Sequence, residues 1–216
     1  MKPDKKGLKN ILVVGNDAYY QIPIYQRPYQ WGEEQCEELL NDLFENYEDH
    51  GENDYFCGSL VLIAIGIDSK TNATTYDIVD GQQRLSTFIL LAKVLAILYS
   101  ERLDPMIQEY LQESWSDRHE DGEKKKRERL DFDLVGSNAK KDFQEALKFF
   151  DDLDASKGES SKSNAPSKGK NSYLKNAICL KNYLEKKRLK TLMISLDGCI
   201  LRSISSPSPA LIPTWR

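Results

Sequence analysis

The residues best placed to do chemistry are Asp80-Gly81-Gln82-Gln83-Arg84, because they stand between an apolar, β-like run ending at Val79 and a long apolar helical run starting at Leu85. A glycine-containing turn that opens a helix aims backbone N–H groups and the positive end of the helix dipole at one place, and an arginine on the first turn adds a fixed positive charge. Such a place suits a phosphate. The same letters also fit a capping box, in which Asp80 accepts from the helix's third amide, Gln83 reaches back, and Gly81 eases the turn. The two readings are compatible. The density of donors, two side-chain amides and an arginine in three positions, favours the anion.

A second constellation is Tyr25-Gln26-Arg27-Pro28-Tyr29-Gln30-Trp31. Arg27 is a planar fork able to hold a phosphate bidentately, and Tyr29 and Trp31 offer flat surfaces on which a nucleobase could stack. The structural alternative is a proline turn whose aromatics cover the edge of the core.

Other signals carry less. The basic run Lys124–Arg129 reads as a solvated face, with local nucleic-acid contact as the alternative. His50 and His119 lie in acidic, loop-like surroundings and read as exposed and inert. Glu33, Glu34, Glu37 and Glu38 could supply a metal ligand, yet acidic residues on a helix's first turns are ordinarily explained by its dipole. No GxxxxGK[ST] sequence is present, which excludes a P-loop nucleotidase.

The elements that must position these residues follow from periodicity. Residues 19–25 are aromatic and β-branched, with a proline that suits an edge strand. From Glu33 to Tyr47, the apolar residues Cys36, Leu39, Leu40, Leu43, Phe44 and Tyr47 form the stripe of an amphipathic helix. Residues 55–67 are continuously apolar, as expected of a strand buried on both faces, and Thr75–Val79 reads as its hairpin partner. A helix over Leu85–Tyr99 follows the pentapeptide. The order strand, helix, strand, strand, helix predicts an α+β fold with a small mixed sheet.

After Glu101 the chain becomes charged and mainly helical. Arg129–Leu134 alternates like a short strand, Ala139–Leu153 and Tyr173–Lys187 read as helices, and Leu189–Leu196 is a short apolar segment. Residues 155–172 have the composition of a flexible polar linker. The division expected is a nucleotide-binding part over 1–100, a mainly helical extension over 101–200, and a disordered or truncated tail over 201–216.

At 216 residues the chain can build one medium core unaided. A net charge of −4 leaves any nucleic-acid contact to a local patch. Cys36, Cys57, Cys179 and Cys199 are widely separated without a CxxC pair, which argues against a zinc site or disulfide framework and for a reducing compartment. The N-terminal apolar stretch is too short for a signal peptide, and the apolar run Leu85–Leu98 covers about 14 residues where about 20 are needed to span a bilayer. A soluble, cytoplasmic chain is expected.

Three segments in order, Ile22–Trp31, Tyr55–Leu60 and Tyr76–Leu85, closely resemble the N-terminal domain of GmrSD-type proteins, itself similar to the ParB/sulfiredoxin-like fold. The resemblance covers about residues 15–100 well and the later part loosely. It implies binding of a nucleoside triphosphate (NTP), and its hydrolysis, coupled to restriction of modified or foreign phage DNA. Matched motif by motif, Asp80, Gly81, Gln82, Gln83 and Arg84 would line the phosphates with Gln26 and Arg27 facing them. Asp80, Gln83 and Arg84 would be the catalytic set, and Mg²⁺ would accompany the triphosphate. Full-length relatives commonly carry a C-terminal HNH-type nuclease, and no histidine follows His119 here. The expected partner is therefore a nuclease domain or subunit, with DNA engaged through it.

Two readings from other classes stand beside this one. The cationic helix start could hold a DNA phosphate in a non-catalytic binding module, or the capping box could be only a cap in an interaction protein.

Overall fold

The computed structural model describes residues 6–12, 18–50, 56–67, 69, 72–118, 126–133, 137–150 and 171–187. A short helix α1 (Leu8–Leu12) precedes strand β1 (Ala18–Ile22), helix α2 (Glu33–His50), strands β2 (Val61–Ile67) and β3 (Thr74–Asp80), and helix α3 (Gln82–Leu98). There follow α4 (Pro105–Glu113), a two-stranded ribbon of β4 (Ser116–Arg118) and β5 (Lys126–Glu128), β6 (Leu130–Phe132), α5 (Ser137–Lys148) and α6 (Ser172–Lys187). The main sheet is mixed, in the order β2-β3-β1-β6. β1 runs parallel to both β3 and β6, while β2 is antiparallel to β3. The α+β class with a small mixed sheet is as expected. Among the described residues no helix is long and apolar enough to cross a membrane.

β1 is an interior strand, contrary to the edge position expected from its proline. Pro23 stands one residue past its end, so the missing N–H interrupts no ladder bond. β2 departs in the opposite sense. Its continuous apolar run predicts burial on both faces, yet it is an edge strand whose last five residues are exposed, Ile67 to 70%. An uninterrupted apolar run carries no period, so it cannot tell a central strand from an edge.

Helix α3 starts three residues earlier than its apolar run, at Gln82, and is buried on every side from Leu85 to Ala96. Its neighbours α4, α5 and α6 explain why it is apolar all round. The one lysine in that stretch, Lys93, lies 4.6 Å from the centre of the Trp115 ring, a cation–π seat for its ammonium.

The segment after residue 100 builds onto this frame. β6 extends the sheet beside β1, and α6 packs on α2, α3 and α5. Asn171 caps α6 by accepting from the Leu174 amide and ties it to α5 by donating to the Asp142 carbonyl. The basic run is not wholly a solvated face: Arg129 is 2% exposed, its guanidinium donating to the carbonyls of Ala18 and Glu113 and lying over the Tyr19 ring. Lys124, Lys125, His119, the loop 155–170, the segment 189–196 and the tail 201–216 lie outside the described residues, as does the side chain of His50.

Candidate functional site

Asp80 is the last residue of β3 and Gly81 is the N-cap of α3, in the left-handed region at φ 93°, ψ 4°. A Cβ at Gly81 would come within 2.8 Å of the Ser59 carbonyl and 3.1 Å of the Leu60 side chain. The backbone of 58–60 therefore presses directly on the turn. Gly58, at φ 104°, permits that approach. As a glycine, the N-cap has no side chain with which to cap the helix. The capping box expected from Asp80 and Gln83 does not form, because the reversal at Gly81 shifts the start of the helix by one residue and carries Gln83 away from the cap.

The side-chain amides go elsewhere, and always to the other motif. Gln26 Nε2 donates to the carbonyls of Ile78 (3.0 Å) and Val79 (2.7 Å). Gln82 Nε2 donates to the Arg27 carbonyl at 2.7 Å. Gln83 Oε1 accepts from the backbone amides of Gln30 (2.8 Å) and Trp31 (3.3 Å), while its Nε2 donates to the Pro28 carbonyl at 3.2 Å. Three glutamines thus fasten the loop 26–31 across the end of β3 and the first turn of α3. Gln82 and Gln83 are each only 6% exposed.

The loop's aromatics point inward. The Tyr29 ring stacks on Tyr173 of α6 with centroids 4.1 Å apart, so one of its faces is taken by protein. Its hydroxyl bonds Thr87 Oγ1 at 2.7 Å and Asn176 Nδ2 at 2.9 Å. Burial raises its pKa above the usual phenol range. Trp31 is half-buried against the core, and its carbonyl accepts from Asn176 at 2.8 Å. Behind it, Cys36 of α2 is buried, which pushes its thiol up to about 12.

Of the residues selected from the sequence, Arg27 and Asp80 are exposed and Arg84 is half-buried. The turn therefore offers one carboxylate, an exposed guanidinium on the facing loop, and the first-turn N–H groups of Gln82 and Gln83, which helix geometry leaves without intrahelical acceptors, with the half-buried Arg84 two residues into the helix. Among the described residues no three His, Cys, Asp or Glu side chains converge on a metal position, and Glu33, Glu34, Glu37 and Glu38 sit exposed on α2. Asp80 alone suits a cation held chiefly by phosphate oxygens. A cleft of about 460 Å³ over β1, β6 and α5, lined by Gln21, Asp131, Asp133 and Lys140 among others, includes none of the selected residues.

Asn176, Thr87 and Tyr173 also belong to this assembly and were not selected from the sequence. A signal for Asn176 exists: it falls on the stripe of Tyr173, Ala177 and Leu180, a polar residue among buried apolar ones.

A family model described as GmrSD restriction endonuclease, N-terminal domain, matches residues 8–207. No curated protein matches the chain.

Proposed function

Because the chain belongs to the family of GmrSD restriction endonuclease N-terminal domains, we propose that it is the NTP-binding and NTP-hydrolysing regulatory part of a modification-dependent DNA restriction or phage-defence system. A role in restriction comes with the family. Nucleotide chemistry is the finer reading, and one observation carries it: a helix start whose N-cap is a glycine, faced by an arginine loop that three glutamines hold in place. The parallel β1, β3 and β6, with that helix start at the carboxyl end of β3, also support a ParB/sulfiredoxin-like assignment.

In this reading the backbone amides at the start of α3 and the guanidiniums of Arg27 and Arg84 take the phosphate oxygens. Water adds to the γ-phosphorus as the bond to the β–γ bridging oxygen breaks. The pair of electrons leaves with the nucleoside diphosphate and the water's protons pass to solvent and phosphate. Negative charge grows on oxygens that the two arginines face, so they stabilise the transition state. Asp80 positions the attacking water, and it is the residue that would hold Mg²⁺, which would supply further charge neutralisation. Gln26, Gln82 and Gln83, first expected to line the phosphates, act here through the framework they build. A nuclease of the HNH type, on another domain or subunit, would be the partner that meets DNA.

A thermal-shift screen over the four NTPs with Mg²⁺ tests the reading, since a ligand that binds only the folded state must raise its stability. A Tm that rises with one or more NTPs supports it. A flat response together with salt-sensitive DNA binding would replace it with the DNA-phosphate module.

A further inference from the structure

We infer that Asn176 is a positioning residue through which helix α6 controls the loop 26–31 and hence the phosphate site, an inference that rests on the nucleotide reading above. Thr87 Oγ1 gives its only proton to the Gln83 carbonyl at 2.8 Å. With that proton committed to Gln83, we assign the phenol as the donor in the 2.7 Å bond between the Tyr29 and Thr87 hydroxyls. Having given its proton away, the Tyr29 oxygen accepts from Asn176 Nδ2 at 2.9 Å, and the second N–H of that amide goes to the Trp31 carbonyl at 2.8 Å.

The result is a one-way chain from Asn176 through Tyr29 and Thr87 to the carbonyl of Gln83, in the first turn of α3. Every member of it is buried or half-buried. The groups at its ends belong to different parts of the fold, 147 positions apart at the Asn176–Tyr29 link. Both donors of Asn176 fall on the loop, and Tyr173, one turn earlier on α6, stacks on the Tyr29 ring. Displacing α6 by the length of a hydrogen bond would break two part-buried bonds at once and leave the loop held by the glutamines and the Tyr29–Thr87 bond. α6 touches α2, α3 and α5 as well, so a load on any of these helices reaches the loop by the same amide.

Asn176→Ala removes the first donor, and Tyr29→Phe removes the middle link while keeping the ring that stacks on Tyr173. Each variant is read two ways, by hydrogen exchange at the Gln30 and Trp31 amides and by NTP affinity in the folded protein. The expected result is exchange and dissociation constant both raised roughly tenfold, the scale of one lost buried hydrogen bond. The double variant should cost less than the sum of the two single ones, because the Asn176–Tyr29 bond is lost in both. Wild-type exchange at Gln30 and Trp31 in both folded variants would overturn the link, and faster exchange with unchanged NTP affinity would overturn the control. An unsubstituted protein that no NTP stabilises, with exchange still raised in the variants, would overturn the nucleotide reading and with it the control, while leaving the mechanical link from α6 to the loop.

Discussion

The side-chain oxygen of Gln83 lies 2.8 Å from the backbone nitrogen of Gln30, 53 positions earlier, and accepts its proton. One side chain on the first turn of α3 thereby sets where an entire loop runs. Gln83→Ala would leave the Gln30 and Trp31 amides and the Pro28 carbonyl without their partner, a loss of about 3 kcal/mol. Gln83→Glu keeps the acceptor but buries a charge and loses the bond to Pro28. Urea denaturation should rank both below the parent protein.

Gly81→Ala should destabilise by about 2 kcal/mol or more, because it combines a left-handed backbone with a Cβ 2.8 Å from the Ser59 carbonyl. The neighbour is backbone and cannot rotate away. Chemical denaturation measures the effect, and an unchanged midpoint would show that the turn relaxes freely.

Arg27 is exposed, so Arg27→Ala should leave basal stability within about 0.5 kcal/mol. NTP affinity should fall at least roughly tenfold, and Arg27→Lys should restore only part of it, since an ammonium keeps the charge and loses the planar fork. Titration calorimetry on the folded variants separates the two.

Arg129→Ala should be among the most damaging substitutions, costing about 3 kcal/mol, although it lies in a run that looks like a solvated face. The guanidinium joins the Ala18 and Glu113 carbonyls, and removing it leaves both without that donor. The drop in Tm is the measurement.

Burial pushes the Cys36 thiol up to about 12 and the Cys179 thiol up to about 11, from ordinary values of 9.0. Both thiols stay protonated in the folded chain at pH values where the unfolded chain has lost those protons. Their contribution to stability is thus complete below about pH 9 and is lost as pH rises towards 12. Stability measured against pH should fall across that window, less so in Cys36→Ala, and neither thiol should be alkylated rapidly at pH 7 without unfolding.

Local spacing made much of this protein legible. The stripe on α2, the β3 turn into α3 and the helix over Tyr173–Lys187 follow from periods of a few residues, which the chain carries within itself. So does the juncture of Asp80, Gly81 and Arg84 at a helix start. Which groups the glutamines bond is not a local matter. A cap, a phosphate and a backbone carbonyl are all acceptors or donors of the right kind, and the fold decided by bringing residues 26–31 within reach, 52 or more positions away. Arg129 was buried, β2 left at an edge and Asn176 set against Tyr29 for the same reason: a side chain's partner is whatever the packed chain delivers to it, and that delivery is written in no single stretch of sequence.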